Sequence, residues 1–357
     1  MFANWSSRLP ELQRFFSVSN TELGTLLLVM AFGAIVAMPF TGVLIQRYGT
    51  KRWTTIVGCL YVFAIPFLAS CSNFYQIIPV FFSLGILGGS MDVSMNGQAV
   101  FVERLFEKPI LSSFHAVFSI GMALGAGVGA LFANFDTPLF YHFGLMGLLA
   151  LAILIYYSFY LVEDPPVEEV QEKGSKFRLP TKAILPLGII AFCGMIGEGA
   201  MTDWSAIFMN TVVGASEAFS AFAFGVYATT MTIGRLVGDR LTQRWGSDRL
   251  LTFDGILAIT GLGLVVLFPS MIPSLIGFAM IGLGISTIVP IIYSRSGNIK
   301  GVNPSVGIAM ATTIGYAGFF VGPPVIGFLA DWIGLRFGFL FILILLVLML
   351  LTIHKKN

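Results

Sequence analysis

The chain has 357 residues, of which 56% are apolar and only 11% are charged, whereas soluble globular proteins are roughly 45–50% apolar and about 25% charged. This composition, with a mean hydropathy of +0.88, excludes a water-soluble monomer, and a net charge of only +2 excludes nucleic acid as a partner. Because one membrane crossing needs about 20 apolar residues, the sequence predicts an all-α membrane protein with about a dozen crossings in the lipid bilayer.

Apolar segments long enough to span a membrane recur along the whole chain. They lie at about residues 22–45, 53–71, 75–102, 110–134, 138–162, 183–209, 217–241, 250–268, 272–294, 304–329 and 336–353. The stretch 163–182, rich in Pro, Glu and Lys, is predicted to be a linker. We therefore expect an N-terminal transmembrane bundle at 1–162 and a C-terminal transmembrane bundle at 183–357.

Two motifs occur once in each half of the chain. NWSSRL at 4–9 corresponds to DWSAIF at 203–208, and QRYGTKR at 46–52 corresponds to QRWGSDR at 243–249. This repeat predicts two bundles with the same six-span topology. About twenty apolar residues precede Trp204 but only four residues precede Trp5, so we number the spans 1–12 and expect span 1 to be incomplete; the alternative is a short re-entrant start.

The basic residues predict the orientation of the chain, because cytoplasmic loops carry the excess of Lys and Arg. Sixteen of the twenty basic residues lie on alternate loops and on the C-terminal tail, whereas Arg8, Arg14 and Arg336 lie on the opposite side. The linker and the C-terminus are therefore predicted to be cytoplasmic.

Twelve spans in two groups of six resemble the major facilitator superfamily. GVLIQRYGTKR at 42–52 resembles its signature between spans 2 and 3, with Gln46 where Asp is usual, and GSMDVSMN at 89–96 and DWS at 203–205 are similar to its YbjJ/MosC-like bacterial subgroup. The resemblance implies the major facilitator fold, an inner-membrane location, and secondary transport of a small, sugar-like solute by alternating access. It also implies a site between the two bundles in a monomer.

Span 4 carries ionisable groups, which cost roughly 2.5–3.5 kcal/mol each inside the hydrocarbon and therefore need a reason. Asp92 lies eleven residues before Glu103, about 16 Å along a helix, which places it near the middle of the membrane. Asp92, Asn96 and Glu103 share one face of the helix. We expect Asp92 and Asn96 to bind solute or a proton; the alternative is a hydrogen bond that ties span 4 to a neighbour.

Glu103 and His115 lie on opposite sides of the short loop between spans 4 and 5. We expect them to pair across this loop in a gating or structural role. A proton relay through His115 is the alternative, because histidine titrates near neutral pH.

Span 7 carries Glu198 about 24 Å beyond Lys182, followed one turn later by Asp203. Glu198 is expected to bind solute or a proton, and Asp203 either belongs to the site or pairs with a structural partner such as Arg8. Trp5 and Trp204, which correspond in the repeat, are candidates for stacking on a sugar or aromatic ring.

A gate is expected at the cytoplasmic ends of the helices. Arg235 and Asp239 are four residues apart in span 8 and are expected to pair along the helix. Arg47, in the signature loop, resembles the gating residues of the superfamily.

The motifs of enzymes are missing from the sequence, which contains no nucleophile–base pair, phosphate loop or cluster of metal ligands. We expect neither catalysis nor a cofactor or metal. Asp92 and Glu198 have no Lys or Arg within two turns of their own helices, so both are expected to bind a proton as desolvated acids, Asp92 preferentially. The sequence thus predicts proton-coupled symport of a small solute; efflux of amphipathic compounds and a transport-inactive sensor remain alternatives.

Overall fold

The computed structural model of the protein describes residues 1–6, 8–17, 20–163, 183–215 and 217–354. Beyond Glu163, the predicted linker lies outside the described residues, as do Lys355, Lys356 and Asn357 at the tail. Within the described ranges every regular element is an α-helix. Numbered in chain order, the helices are α1 Phe2–Ser6, α2 Leu9–Phe16, α3 Asn20–Tyr48, α4 Thr50–Leu68, α5 Phe74–Phe106, α6 Leu111–Asn134, α7 Leu139–Ser158, α8 Leu185–Thr211, α9 Glu217–Trp245, α10 Ser247–Leu267, α11 Met271–Ile285, α12 Ile288–Gly297, α13 Pro304–Ile333 and α14 Leu335–His354.

The predicted complete spans all coincide with helices, which confirms the all-α class. Span 10 departs from the prediction, because it consists of α11 and α12 with a break at Ser286 and Thr287. In the described residues, nine helical stretches are long and apolar enough to cross a membrane. Helices α4 and α9 are not among them, and both carry basic residues within their bounds.

The outward faces of the helices are apolar. Phe63, Leu124 and Ile344 are 57%, 66% and 64% exposed, and a soluble monomer rarely exposes apolar patches of this extent. Lipid is the solvent that these faces require.

The repeated motifs have the same backbone geometry. Gly49 (φ 80°, ψ 155°) precedes α4, and Gly246 (φ 77°, ψ 156°) precedes α10. Positive φ is readily adopted only by glycine, so both copies of the motif need a glycine to end one helix and begin the next. The sequence repeat is therefore also a structural repeat at these two turns.

The chain divides into two compact units. Unit 1 comprises Met1–Val102, Val117–Phe177 and Gly301–Ala309, and unit 2 comprises Glu103–Ala116, Arg178–Lys300 and Met310–Asn357. The loop between α5 and α6 therefore belongs to the same unit as most of the C-terminal part of the chain.

The core of unit 1 surrounds Trp5, which is fully buried against an edge of Phe81. Leu12, Ile65 and Phe143 complete this core from α2, α4 and α7. In unit 2, Phe208 of α8 stacks on Phe339 of α14, with ring centroids 5.0 Å apart. This packing fixes α8, which also contacts α9, α11 and α12 and approaches α13 at Gly318.

Glycines allow α5 to approach α3 closely in unit 1. A Cβ atom at Gly85 would overlap the backbone carbonyl of Met30, whereas one at Gly88 would lie 3.7 Å from the ring of Tyr61. Because overpacking typically costs about 1–3 kcal/mol, we expect Gly85→Ala to lower the free energy of unfolding by about that amount. Thermal unfolding of the purified protein measures the effect, and Gly88→Ala on the same helix is the control. Equal melting temperatures for the two variants would contradict this account of the α3–α5 contact.

Candidate functional site

An ion pair lies inside unit 2, between α8 and α9. The Arg235 Nη2 atom is 3.1 Å from Glu198 Oε1 and 3.4 Å from Oε2, and the two side chains are 8% and 24% exposed. The hydroxyl of Tyr227 donates to the backbone carbonyl of Glu198 at 3.5 Å. Glu198 lies thirteen residues into α8, about 20 Å from its start, so the pair lies deep within the span.

Two sequence-based expectations are wrong here. The expected pair between Arg235 and Asp239 on one helix does not form, because α8 and α9 pack side by side and Arg235 pairs with Glu198 on α8. Glu198, expected to lack a cationic partner, therefore has one.

The carboxylate of Asp239 binds the start of α6. Its Oδ1 accepts the backbone N–H of Ser112 at 2.9 Å, and its Oδ2 accepts the backbone N–H of Ser113 at 2.8 Å together with the Ser113 hydroxyl. Asp239 is only 8% exposed. Bonds between a carboxylate and backbone N–H groups are charge-assisted and stronger than neutral hydrogen bonds.

Glu103 binds the same helix end. Its Oε2 accepts the backbone N–H groups of Ile110 at 2.9 Å and Leu111 at 3.2 Å, and its Oε1 accepts the hydroxyl of Ser294 on α12. The expected pair between Glu103 and His115 is therefore wrong. The ring of His115 instead lies beside Tyr293, with centroids 6.0 Å apart.

The N-terminus of α6 thus meets two carboxylates from different parts of the chain. A helix start has unsatisfied backbone N–H groups and a partial positive charge, and here four consecutive N–H groups, at residues 110–113, are bonded to Glu103 or Asp239. Within unit 2 these bonds join the start of α6 to Glu103 and Asp239, and Glu103 is also bonded to Ser294. We call this cluster of bonds the latch.

A cavity of about 370 Å³ lies next to this latch. Its lining includes Glu103, Arg104, Lys108, Asp239, Gln243 and Ser294. Arg104 donates to the side chain of Asn298 at 2.7 Å and to the carbonyl of Gly297. We call this end of unit 2, which contains Arg104, Lys108 and the residues of the latch, the basic end.

Asp92 and Asn96 lie together on α5 in unit 1. The amide nitrogen of Asn96 donates to the backbone carbonyl of Asp92 at 2.8 Å and to its Oδ1 at 3.2 Å. Asn96 is 3% exposed and Asp92 is half-buried. This bond runs along one helix.

A second buried polar cluster in unit 1 holds Arg8, which is 1% exposed. Its Nε donates to Glu11 at 2.5 Å, its Nη2 donates to the carbonyl of Thr137 at 2.8 Å, and its Nη1 lies 3.2 Å from His142 Nδ1. His142 Nε2 lies 3.0 Å from Asn4 Oδ1. Arg8 therefore pairs with Glu11, and the alternative in which Asp203 pairs with Arg8 is wrong.

The two tryptophans differ in environment. Trp5 is fully buried and its Nε1 donates to Tyr61 at 3.4 Å, so the expected stacking of Trp5 on a solute is replaced by core packing. Trp204 is half-buried beside Gly327, and Asp203 next to it is exposed.

Arg47, expected to be a gating residue, is also exposed. Its described contact is with the ring of Tyr48, 5.4 Å away, rather than with another gating residue.

Asp254, which the sequence analysis missed, is 4% exposed on α10 and accepts a hydrogen bond from the hydroxyl of Thr287. His142 was missed as well. Asp254 and His142 could have been recognised from the sequence, because each is an ionisable residue inside a predicted span.

Among the described residues, no group of three or more His, Cys, Asp or Glu side chains is placed to hold a metal ion.

Comparisons with known proteins are consistent with this architecture. The sequence model of the Major Facilitator Superfamily matches residues 2–302. The chain is similar to the uncharacterized transporter y4wD of Sinorhizobium fredii, with 31% identity over 95% of this chain and 90% of the relative, and to the membrane protein MosC of Rhizobium meliloti, with 30% identity over 96% and 83%. Its fold is similar to that of the Escherichia coli fucose:proton symporter FucP, with a TM-score of 0.78, 16% identity and coverage of 99% of this chain and 94% of that one. The chain belongs to the Major Facilitator Superfamily.

Proposed function

We propose that this chain is a proton-coupled secondary transporter that moves a small, polar, sugar-like solute across the bacterial inner membrane by alternating access, acting as a monomer. The observation that carries the proposal is the Glu198–Arg235 pair, which lies between α8 and α9, about 20 Å from the start of α8. An ion pair there gains little over apolar packing, because the desolvation of both charges offsets their attraction. A role in solute binding explains why the helices retain it.

A neutral polar solute fits the groups that unit 2 offers. Glu198 supplies hydrogen-bond acceptors, Arg235 supplies donors, and Trp204 supplies a half-buried ring on the same helix as Glu198. The structurally similar FucP is a fucose:proton symporter, which supports this class of solute and this coupling ion.

The proton is assigned to Asp92 on α5. Its Oδ1 accepts a hydrogen bond from the side-chain amide of Asn96, and its position about 16 Å along the helix from Glu103 supports a place near the middle of the membrane. Glu198 is already bonded to Arg235. We therefore assign proton coupling to Asp92 and solute binding to the Glu198–Arg235 pair.

The latch at the basic end is assigned to gating. The excess of basic residues there supports a cytoplasmic location for this end, and we interpret the intact bonds from Glu103 and Asp239 to the start of α6 as the closed form of the gate. His115, near the same helix start, is included in this gate.

Removing the Asp239 carboxylate is expected to open the latch. Each hydrogen bond to a charged group contributes about 1.5–3 kcal/mol, so Asp239→Ala shifts the gate toward the open form by at least about tenfold. Ile291 lines the cavity and is 3% exposed, so the alkylation rate of Ile291→Cys reports the shift.

The control is Asp248→Ala at the same end of the molecule. Asp248 pairs with Arg295 but is 55% exposed, and such surface pairs contribute about 0–1 kcal/mol. Both variants are made in a background without Cys59, Cys71 and Cys193. Similar alkylation rates for Asp239→Ala and Asp248→Ala would refute the gating role of Asp239.

Flux measurements test the transport function itself. Purified protein in proteoliposomes is supplied with labelled neutral sugars and polyols, and uptake and counterflow are measured with empty liposomes and Arg235→Ala as controls. Saturable uptake with counterflow supports a carrier. Flux without counterflow indicates a channel, and binding without flux indicates a sensor. Counterflow of amphipathic cations alone, with no sugar or polyol transported, indicates efflux of amphipathic compounds.

A further inference from the structure

Asp254 is a buried acid that the proposed transport mechanism does not use. It lies seven residues into α10, about 10 Å from the helix start, inside a candidate membrane span. A carboxyl group in this environment is costly as a carboxylate unless it is paired, and an unpaired one takes up a proton instead. The bonds to its two oxygens therefore indicate which form it has.

The bonding of Asp254 is limited to one hydroxyl. Thr287 donates to Oδ2, and Oδ1 receives no hydrogen bond from the described residues. A single hydroxyl replaces little of the hydration of a carboxylate. A neutral acid with its proton on Oδ1 satisfies the same geometry without a buried charge.

In the described part of the chain, no charged group on the helices packed against α10 is bonded to this acid. Those helices are α9, α11, α12 and α14, and α11 contains no titratable residue. On α9, Arg235 is bonded to Glu198 and Asp239 is bonded to α6. The remaining titratable residues, listed by helix, are Glu217, Tyr227, Arg240 and Arg244 on α9, Asp248 and Arg249 on α10, Tyr293 and Arg295 on α12, and Arg336 and His354 on α14.

The hydroxyl donor to Asp254 belongs to the break in span 10. Ser286 and Thr287 separate α11 from α12, and this segment is closely surrounded: a Cβ atom at Gly284 would lie 2.6 Å from the backbone oxygen of Asp254, and one at Gly234 would overlap Ser286 Oγ. A change at Asp254 is therefore transmitted to the break rather than absorbed by loose packing.

The break also contacts the solute-binding pair. The carbonyl of Ser286 accepts a hydrogen bond from Arg235 Nε at 3.4 Å, and Arg235 holds Glu198 through its Nη2. Asp254, the break, Arg235 and Glu198 therefore form one connected series of polar contacts across unit 2.

We propose that Asp254 is a second proton-binding site, occupied in this conformation, whose ionisation moves the Ser286–Thr287 break and thereby the Glu198–Arg235 pair. The carboxylate takes its proton from water when the break is accessible and returns it to water when the break opens again. The inference deepens the proposed proton-coupled transport, and it adds to unit 2 an acid distinct from Asp92.

Infrared spectroscopy tests the occupancy of this site without any solute. The protein is reconstituted in nanodiscs, and the spectrum of Asp254→Asn at neutral pH is subtracted from that of the wild type. We expect the difference to contain the carbonyl stretching band of one protonated carboxylic acid, shifted to lower frequency in D₂O and lost at alkaline pH. Thr287→Val, which removes the donor to Oδ2, is expected to move this band to higher frequency.

Glu198→Gln is the matched control, because an ion-paired acid is expected to give carboxylate bands in the corresponding difference spectrum. Carboxylate bands without an acid band in the Asp254 difference would overturn the proposal. If Asp254→Asn does not fold, the spectrum of Thr287→Val is compared with that of the wild type instead. A carbonyl stretching band of protonated acid at the same frequency in both spectra overturns the proposal. Because no solute is used, this result is independent of whether the chain transports sugars.

Discussion

Asp92→Asn is expected to abolish proton-driven accumulation of solute while counterflow persists. The amide keeps the size of the side chain and can still accept the hydrogen bond from Asn96, but it cannot bind and release a proton in this pH range. Counterflow exchanges solute for solute and needs no net proton movement. Accumulation under an imposed pH gradient and counterflow without a gradient, measured in the same proteoliposome preparation, give the two values to compare.

Asn96→Ala is the control for this prediction. It removes the donor to Asp92 but leaves the carboxyl group, so accumulation should persist at a reduced rate. If Asp92→Asn retains accumulation under the pH gradient, Asp92 is not the coupling acid and its contact with Asn96 has a structural role only.

Arg235→Gln is expected to stop transport and to lower the free energy of unfolding by about 3 kcal/mol, the lower end of the range for breaking a buried pair. The lower end applies because Glu198 is 24% exposed. Glu198→Gln should cost a similar amount, since it leaves Arg235 unpaired. The double variant should recover most of the lost stability, because it leaves neither member of the pair as an unpaired buried charge.

Arg295→Gln provides the comparison for this thermodynamic cycle. It breaks the exposed pair with Asp248 and should cost less than about 1 kcal/mol. Unfolding in detergent, followed for the two single variants, the double variant and this control, measures the coupling. Strictly additive losses for Arg235→Gln and Glu198→Gln would show that the pair does not stabilise the protein.

The helices could be predicted because hydropathy in a membrane protein reports directly on each span. The bounds of α3, α8 and α14 agree closely with the apolar segments at 22–45, 183–209 and 336–353. The glycine turns before α4 and α10 were likewise visible as a sequence repeat. The break in span 10 was missed although the sequence contains a signal for it: Pro290 lacks the N–H that would bond to the carbonyl of Ser286 four residues earlier.

The partners of the polar residues were predicted poorly because they depend on which helix faces meet. Spacing along one helix favoured Arg235 with Asp239, but Glu198 on the neighbouring α8 binds Arg235, and the α6 N-terminus binds Asp239. The role of Trp5 was predicted wrongly for the same reason, because its burial depends on tertiary packing. Nothing in its local sequence distinguishes a ring in the core from a ring that lines a solute site.

Proton movement driven by solute tests the central claim most directly. Proteoliposomes containing a pH-sensitive dye are given labelled neutral sugars and polyols from outside, with no imposed gradient, and solute entry and internal pH are recorded together. For the wild-type protein, the account predicts saturable solute entry accompanied by acidification of the lumen, and for Asp92→Asn it predicts no acidification. Saturable entry with no change of internal pH, or acidification that is unchanged in Asp92→Asn, would contradict it.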